Sequence, residues 1–512
     1  SLFRSDEVLY TLVPVSDKSD LERAFVENCG EKVNVVIFIN CGNSLNLLNY
    51  LNPRADVVFF VIDSHRPIHL ENLRSGGEEG DQIRIVIRSS EEAQLAEKIP
   101  DSQDVFRDDG EEEEEQDEED EASGSGEEAE EEEDGVNPPN RKRTRLDLDS
   151  LAQRAHRRKR NAEWKKARSE LLFKYYKFTE HSHSSALLLY ELAWRMSKDT
   201  PSLLWWAIVG VTYQYLEGRI DARRYTLDFT DLQGHVLRNA HRHERGASDS
   251  SSFDQFRIQT VQNELRLVLY RKWSLYESLE HSVVTASRFR VWANANNKLL
   301  KSFLVDLGLP LRECRQNFVN MKSEYQRSVR AWMEESASQE RHRLKDLCYP
   351  SFQALLGSSV LGAADVVHSL SALLELQRRS DDPSGSGSGG LTERFMIAMD
   401  SLSHSREGSC SGEGAPLMRR GFELYKELCR LTLDRVKSLV SLRKIIPMGQ
   451  YLFAQLPENQ NKSLIVQTAD DTKFRYNNKG EIYHQRGICP SEGAGTRGKE
   501  GAAATTQFPD KV

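Results

Sequence analysis

The chain has 512 residues, of which 38% are hydrophobic and 29% charged, with a formal net charge of −10. That length exceeds one ordinary core and predicts two or more domains, while the low apolar share predicts folded parts joined by polar segments. No apolar run approaches the roughly 20 residues that span a bilayer and no secretory signal is visible, so no membrane is expected among the partners.

Residues 8–88 alternate short apolar strands with helices. Residues 8–13 read as a strand. Residues 19–29 read as a helix capped by Ser19 and stopped by Gly30. A near-continuous apolar strand at 33–39 and a short helix at 44–51, ended by Pro53, come next. The strand 56–62 follows, and residues 82–88 alternate as another. Such strands with helical crossovers predict a parallel sheet buried on both faces, within a first domain over 1–100.

The strand 56–62 runs into Asp63-Ser64-His65-Arg66-Pro67. In an open α/β sheet, ligands and chemistry sit at the carboxyl ends of strands. An Asp and a His two residues apart could bind a hard divalent cation alongside further carboxylates and water. Few other donors stand nearby, since Asn40 and Cys41 occupy the preceding strand end. The alternative is structural: Asp63 and His65 hydrogen-bond neighbouring loops, and Arg66 packs or pairs locally. The string resembles the signature of the DHH phosphoesterases, which include the RecJ nucleases, where two histidines follow the aspartate. Ser64 replaces the first of them. The resemblance implies a phosphoesterase-like fold in which Asp63, Ser64, His65, Arg66 and Pro67 are vestigial, with no catalytic residue and no bound metal.

Residues 101–148 read as an acidic, then basic, linker. Asp108 to Asp134 hold 19 acidic residues and no basic one, and setting those aside turns the net charge of −10 into a remainder of +9. A mildly basic remainder suits a nucleic-acid neighbour. Such a segment buries too little apolar surface to offset ordering entropy. It could serve as a solvated spacer, mimic DNA or hold a basic chromatin protein. Ser125 stands two residues before Glu127-Glu128, a setting that acid-directed kinases favour. Arg141-Lys142-Arg143, with Arg145, and Arg157-Arg158-Lys159-Arg160 resemble a bipartite nuclear import signal and predict a nuclear protein. Their alternative is a basic helix face that solvates or pairs with the acidic run.

From about Asp149 the hydrophobic period lengthens. Apolar residues three and four apart at 171–176, 186–196, 203–216, 261–279 and 286–304 predict helices, with a break at Gly308-Leu309-Pro310. They define a helical domain over 149–379. A Ser/Gly-rich linker at 380–390 follows. Helices at 392–402 and 418–440 open a further domain over 391–456, and 457–512 is expected to be disordered. Trp194, Trp205, Trp206, Trp273 and Trp292 are spaced as core residues, although aromatic rings can stack single-stranded bases. His241 and His243, beside Arg242 and Arg245, read as a polar loop. Cys29, Cys41, Cys314, Cys348, Cys410, Cys429 and Cys489 form no Cys-x-x-Cys pair and read as free thiols of a reducing compartment. No phosphate loop, zinc pattern or Ser/His/Asp arrangement stands out, and no cofactor is expected.

Several longer strings carry a second resemblance: Glu191-Leu192-Ala193-Trp194, Leu204 to Gly210, Glu264 to Leu275, Phe303 to Leu311, Phe395 to Ser403, Tyr10 to Val15 and Ile39 to Gly42. Over roughly residues 8–456 the chain resembles the eukaryotic cell division control protein 45 family. The resemblance implies a RecJ-like α/β domain followed by a largely helical one. It implies a non-enzymatic subunit of the replicative helicase, joined to the MCM ring and the GINS complex and needed for initiation and elongation. Loading at replication-origin chromatin would involve a Treslin-type factor, and single-stranded DNA is a further candidate ligand. Two departures stand out. The family's first strand carries an Asp-rich motif that would precede Ser1, and Asn459 to Val512 does not resemble the family's C-terminal domain. Both ends are therefore expected to be incomplete or aberrant, with 457–512 a non-family tail. Two rival readings are a metal-dependent RecJ-like phosphodiesterase or exonuclease and an acidic chaperone for chromatin proteins.

Overall fold

The computed structural model describes residues 3, 6–74, 82–106, 148–246, 256–293, 297–338, 344, 347–356, 359–375, 389–403, 416–448, 451–454, 472–476 and 482–486. The expected parallel sheet is present near the N-terminus. Its strands are β1 (Val35–Ile39), β2 (Val58–Ile62) and β4 (Ile83–Ile85), in the order β1-β2-β4, with Val35 opposite Val58 and Phe59 opposite Ile83. Helix α1 (Lys18–Asn28) precedes β1, and α2 (Leu47–Leu51) lies in the crossover between β1 and β2. Phe59 sits at the centre of this small core, edge-on to Phe25 and Phe38 at 5.8 and 5.1 Å between centroids. Leu21, Leu47, Leu51 and Val61 close around it. Between β2 and the long helix lie β3 (His65–Arg66), α3 (Leu70–Arg74), α4 (Ser89–Lys98) and α5 (Ser102–Val105).

The second part begins with α6 (Leu148–Tyr176), then β5 (Glu180–His181), α7 (Ser185–Arg195), α8 (Pro201–Leu216) and α9 (Ala222–Gly246). Thr200 caps α8 by accepting a hydrogen bond from Leu203 N, and Pro201 fills the first helical position, where no amide donor is needed. Leu204, Trp205, Ala207, Ile208 and Val211 are all buried, so α8 is enclosed on most of its circumference. After it come β6 (Arg257–Leu265), α10 (Leu275–His281), α11 (Val283–Phe289), α12 (Lys298–Asp306), α13 (Leu311–Arg315), α14 (Ser323–Ser338), β7 (Cys348–Leu356), β8 (Ser359–Gly362), α15 (Ala363–Glu375), α16 (Gly389–Ser403) and α17 (Pro416–Ser441). One core surrounds α8 and includes Tyr225, Phe229, Phe352, Val366 and Phe422. A second gathers Leu275, Leu300, Phe303, Leu304, Val329 and Met333.

Several elements differ from the sequence expectation. Residues 8–13 form no strand: no strand among the described residues pairs with them, and Leu9 is 99% exposed. The cap of α1 is Asp17, whose Oδ1 accepts from Asp20 N at 2.8 Å, rather than Ser19. Helix α2 starts later than 44, after Asn46, and ends at a left-handed Asn52. The sheet is covered on both faces only toward its middle, since edge strand β1 exposes Val35, Ile37 and Ile39. Residues 261–279 are not one helix but the end of strand β6, an irregular stretch and α10. The helix expected over 286–304 is two, parted after Arg290, which turns left-handed at φ 47°. The helical region thus contains an antiparallel sheet, β6-β7-β8. His241 lies on α9, not in a loop. Within 457–512, where order was not expected, β11 (Thr472–Tyr476) pairs antiparallel with β12 (Ile482–Arg486). Ahead of them β9 (Ile445–Met448) and β10 (Tyr451–Ala454) form another hairpin. The five described cysteines, Cys29, Cys41, Cys314, Cys348 and Cys429, are free thiols. No helix among the described residues is long and apolar enough to cross a membrane.

Candidate functional site

Strand β2 delivers Asp63-Ser64-His65-Arg66-Pro67 to the carboxyl edge of the sheet, where α/β folds place their sites. Asp63 is buried there. Its Oδ2 accepts from Asn43 N at 3.1 Å, and its Oδ1 accepts from His65 N at 3.0 Å. The same Oδ1 lies 2.6 Å from His65 Nδ1. Burial pushes the Asp63 carboxyl up, but the hydrogen bonds and charge of His65 and the amide of Asn43 outweigh it, so the group sits below its ordinary value. The Asn43 side chain donates to the carbonyls of Asp63 and His65 at 3.3 Å each, which fixes the turn from below.

Ser64 occupies the place where the resembled motif carries a histidine. Its hydroxyl donates to Asn40 Oδ1 at 2.9 Å, and the same oxygen accepts from Ser185 of α7 at 3.3 Å. The Ser64 carbonyl accepts from Ser182 N at 2.7 Å. Next, β3 pairs antiparallel with β5: His65 faces His181 and Arg66 faces Glu180. The two histidine rings lie 4.9 Å apart. Burial, the Arg219 charge and His65 push the His181 ring down to about 4. It is therefore a neutral acceptor, 3.1 Å from the Arg219 guanidinium.

Arg66 is almost as deeply buried as Asp63. Its Nε donates to Glu91 Oε1 of α4 at 2.9 Å, and its NH1 donates to the Asp63 and His65 carbonyls at 2.8 and 2.9 Å. Its side chain is 4% exposed and that of Glu91 10%. Burial raises the Glu91 carboxyl, but Arg66 and a hydrogen bond with Ser182 hold it below the ordinary range. Just ahead of α4, Arg88 meets Glu191 of α7 at 2.7 Å and Asp231 of α9 at 3.0 Å, and lies 3.6 Å from Asp228, which also holds His183 at 2.9 Å. Tyr175 donates to Ile68 O at 2.8 Å and Tyr176 accepts from Leu70 N at 3.1 Å.

The motif thus joins two parts of the chain. Both Asp63 oxygens, the Ser64 hydroxyl and the Arg66 guanidinium are engaged by neighbouring protein groups. Among the described residues, no group of three or more His, Cys, Asp and Glu side chains is placed to hold a metal ion. The other sequence candidates lie elsewhere. Arg141, Lys142, Arg143 and Arg145 fall outside the described residues, as does the acidic run 108–134. Arg157, Arg158, Lys159 and Arg160 sit on α6, the last three exposed. Trp205 and Trp273 are buried as expected, but Trp194 is 40% exposed, with the Arg238 guanidinium 4.8 Å from its ring centroid. Sequence reasoning missed Asn43, Arg88, Glu91, His181 and Ser182. The Asn40-Cys41-Gly42-Asn43 turn at the end of β1 was the available signal for the first of these.

A sequence model of the CDC45 family matches residues 1–469, somewhat wider at both ends than the strings recognised above. The human cell division control protein 45 homolog is 36% identical over 459 residues, covering 90% of this chain and 73% of the human one. The Schizosaccharomyces pombe homolog is 30% identical over 389 residues, covering 73% of this chain and 59% of its own. The crystal structure of CDC45 from Entamoeba histolytica superposes with a TM-score of 0.55, covering 92% of this chain and 72% of that one. At 17% identity that likeness speaks for the fold.

Proposed function

The chain belongs to the CDC45 family, which serves DNA replication, and we propose that it works there as a non-enzymatic subunit of the replicative helicase. In this reading it braces the MCM ring together with GINS, is loaded at origin chromatin by a Treslin-type factor, and acts in the nucleus. The motor chemistry belongs to the ring. The observation that carries the non-enzymatic part is the engagement of Asp63. Its carboxylate is held by Asn43 N and His65, and the motif's next residue, Ser64, is bound to Asn40. A bracing subunit needs rigid surfaces, and a buried clasp between a sheet and a helical body supplies rigidity.

Nuclear import is proposed through the two basic clusters. The second lies on a helix, so its exposed Arg158, Lys159 and Arg160 would be read from a helical face or after local unwinding.

The test is co-purification of the full chain with GINS and the MCM ring. Capture of both supports the reading, and capture of neither overturns it. The rival phosphodiesterase reading draws on the Asp63–His65 pair. It predicts cleavage of labelled single-stranded DNA in manganese that disappears in Asp63→Ala. The bracing reading expects no cleavage above background.

A further inference from the structure

Away from the clasp, a cavity of about 740 Å³ opens between β6 and α14. Its lining includes every residue from Gln259 to Asn263. Side chains along a strand alternate between the two faces of a sheet, so a cavity over one face would meet every second residue. Gln259, Thr260 and Val261 already line it in succession where the strand is regular, so the cavity reaches around the strand's edge. The sheet order is β6-β7-β8, and among the described residues β6 pairs only with β7, which leaves its other edge unpaired by them. The ladder also shifts register between Val261 and Glu264, a bulge of the kind found at sheet edges and beside sites.

The opposite wall is basic. Arg327 and Arg330 project from α14 into the cavity's lining, and neither makes a hydrogen bond or ion pair among the described residues. Glu334, one turn on, is held by Asn263 Nδ2 at 2.7 Å. The third arginine of the lining, Arg271, is paired at the base with Glu264 at 2.7 Å. Gln353 links that pair to the strand, donating to Glu264 at 3.1 Å and accepting from Gln259 at 3.3 Å. A polar floor, a free strand edge and two unpaired guanidiniums stand on one cavity.

We propose that this cleft binds an extended acidic peptide, which adds as a strand to the free edge of β6 while Arg327 and Arg330 hold its carboxylates. Five residues of edge span about 17 Å, room for a segment of about five residues. Alternate side chains of such a peptide lie about 6.7 Å apart on one face. Helix positions three apart place their Cβ atoms about 5–6 Å apart, so the two arginines match a pair of carboxylates at i and i+2. Guanidinium also suits carboxylate better than ammonium does, because it can donate in parallel. This proposal is independent of the helicase reading.

The experiment titrates the full chain into a fluorescein-labelled octapeptide of alternating Val and Asp, with alternating Val and Lys, and a twelve-nucleotide oligothymidylate, as parallel probes. Anisotropy should report binding of the acidic peptide and not of the oligothymidylate, while the lysine peptide reads whatever the acidic run 108–134 contributes. In R327E/R330E its affinity should fall at least about tenfold, as expected for the loss of charge-assisted bonds. The same variant should bind the lysine peptide more tightly than the wild type does, and circular dichroism checks that it is folded. Should the reversed variant fail to fold, R327Q/R330Q must show the loss. Acidic-peptide binding that survives either variant overturns the proposal, as does no binding by the wild type. Equal binding of the oligothymidylate assigns the cleft to nucleic acid and overturns it too.

Discussion

Arg66 reads the sequence's ambiguity most directly. A buried guanidinium at a strand end could have belonged to a phosphate site, but it is spent on Glu91 and two carbonyls of its own turn. A buried pair of this kind is weak evidence for stability as such, yet removing one partner strands the other and costs about 3–5 kcal/mol. The titrating groups of the turn all act in one direction. Asp63 and Glu91 are held below their ordinary values of 3.8 and 4.5. Their contribution is present above those values and is lost as pH falls through the lower folded ones. His181 acts earlier. Its ring charges below 6.5 when unfolded but only near 4 in the fold, so the unfolded chain takes up the proton first and stability drops as pH falls between the two. Lowering pH from 7 to 5 should therefore lower Tm, and the drop should be smaller in His181→Gln. His69, His235 and His368 are shifted the same way and remain in both proteins, so the difference isolates His181. Identical drops in both proteins would remove His181 from the clasp's energetics. Asp63 and Arg66 were legible because a buried apolar strand ended in charge. Their partners Glu91, His181 and Ser182 were not, since each lies far along the chain in a segment with ordinary local composition.

At the scale of elements, close approach decides more than propensity. Helices α15 and α17 cross with Gly421 against Ser369. A Cβ at Gly421 would collide with Ser369 Oγ and sit 2.8 Å from its backbone oxygen. The hydroxyl could rotate away, at the expense of its 2.9 Å bond to Met418 O, but the carbonyl cannot. Gly421→Ala should therefore destabilise the chain by about 1–3 kcal/mol, as overpacking does, although alanine is the better helix former. Urea denaturation followed by circular dichroism measures it, and an unchanged midpoint would show that the helices part freely. The sequence could not reveal this crossing, because Gly421 inside a 26-residue amphipathic run reads only as a weak spot. The misread stretch 261–279 has a different cause. Its apolar residues do recur three and four apart, but β-branched Ile258, Thr260 and Val261 cluster on β6, which ends at Leu265, and buried Leu267 and Leu269 belong to the irregular stretch beyond it. Short apolar runs satisfy both periods, and what settled this one was strand β7, about 90 residues on.

Across the whole molecule, the two parts differ in how much core each owns. The sheet near the N-terminus closes around Leu21, Phe38, Leu47, Leu51, Val57, Phe59, Val61 and Ile83, and its edge strand leaves three β-branched residues in solvent. The body beyond α6 has two larger cores, one of them built on α8. A core that small owes much of its stability to what it leans on, and here it leans through β3 on β5, Glu91 (held in turn by Arg66) on Ser182, and Arg88 on α7 and α9. Loosening the clasp should therefore release the sheet before the body. In Arg66→Ala, native-state hydrogen exchange should speed up for the amides of β1, β2 and β4 by the full destabilisation. Amides of α8 should keep their wild-type rates, because its core is not touched by the turn. Equal acceleration in both parts would mean that the chain unfolds as one unit and that the clasp joins a single cooperative body. Acceleration in neither would mean that Glu91 finds another partner and that the pair contributes little.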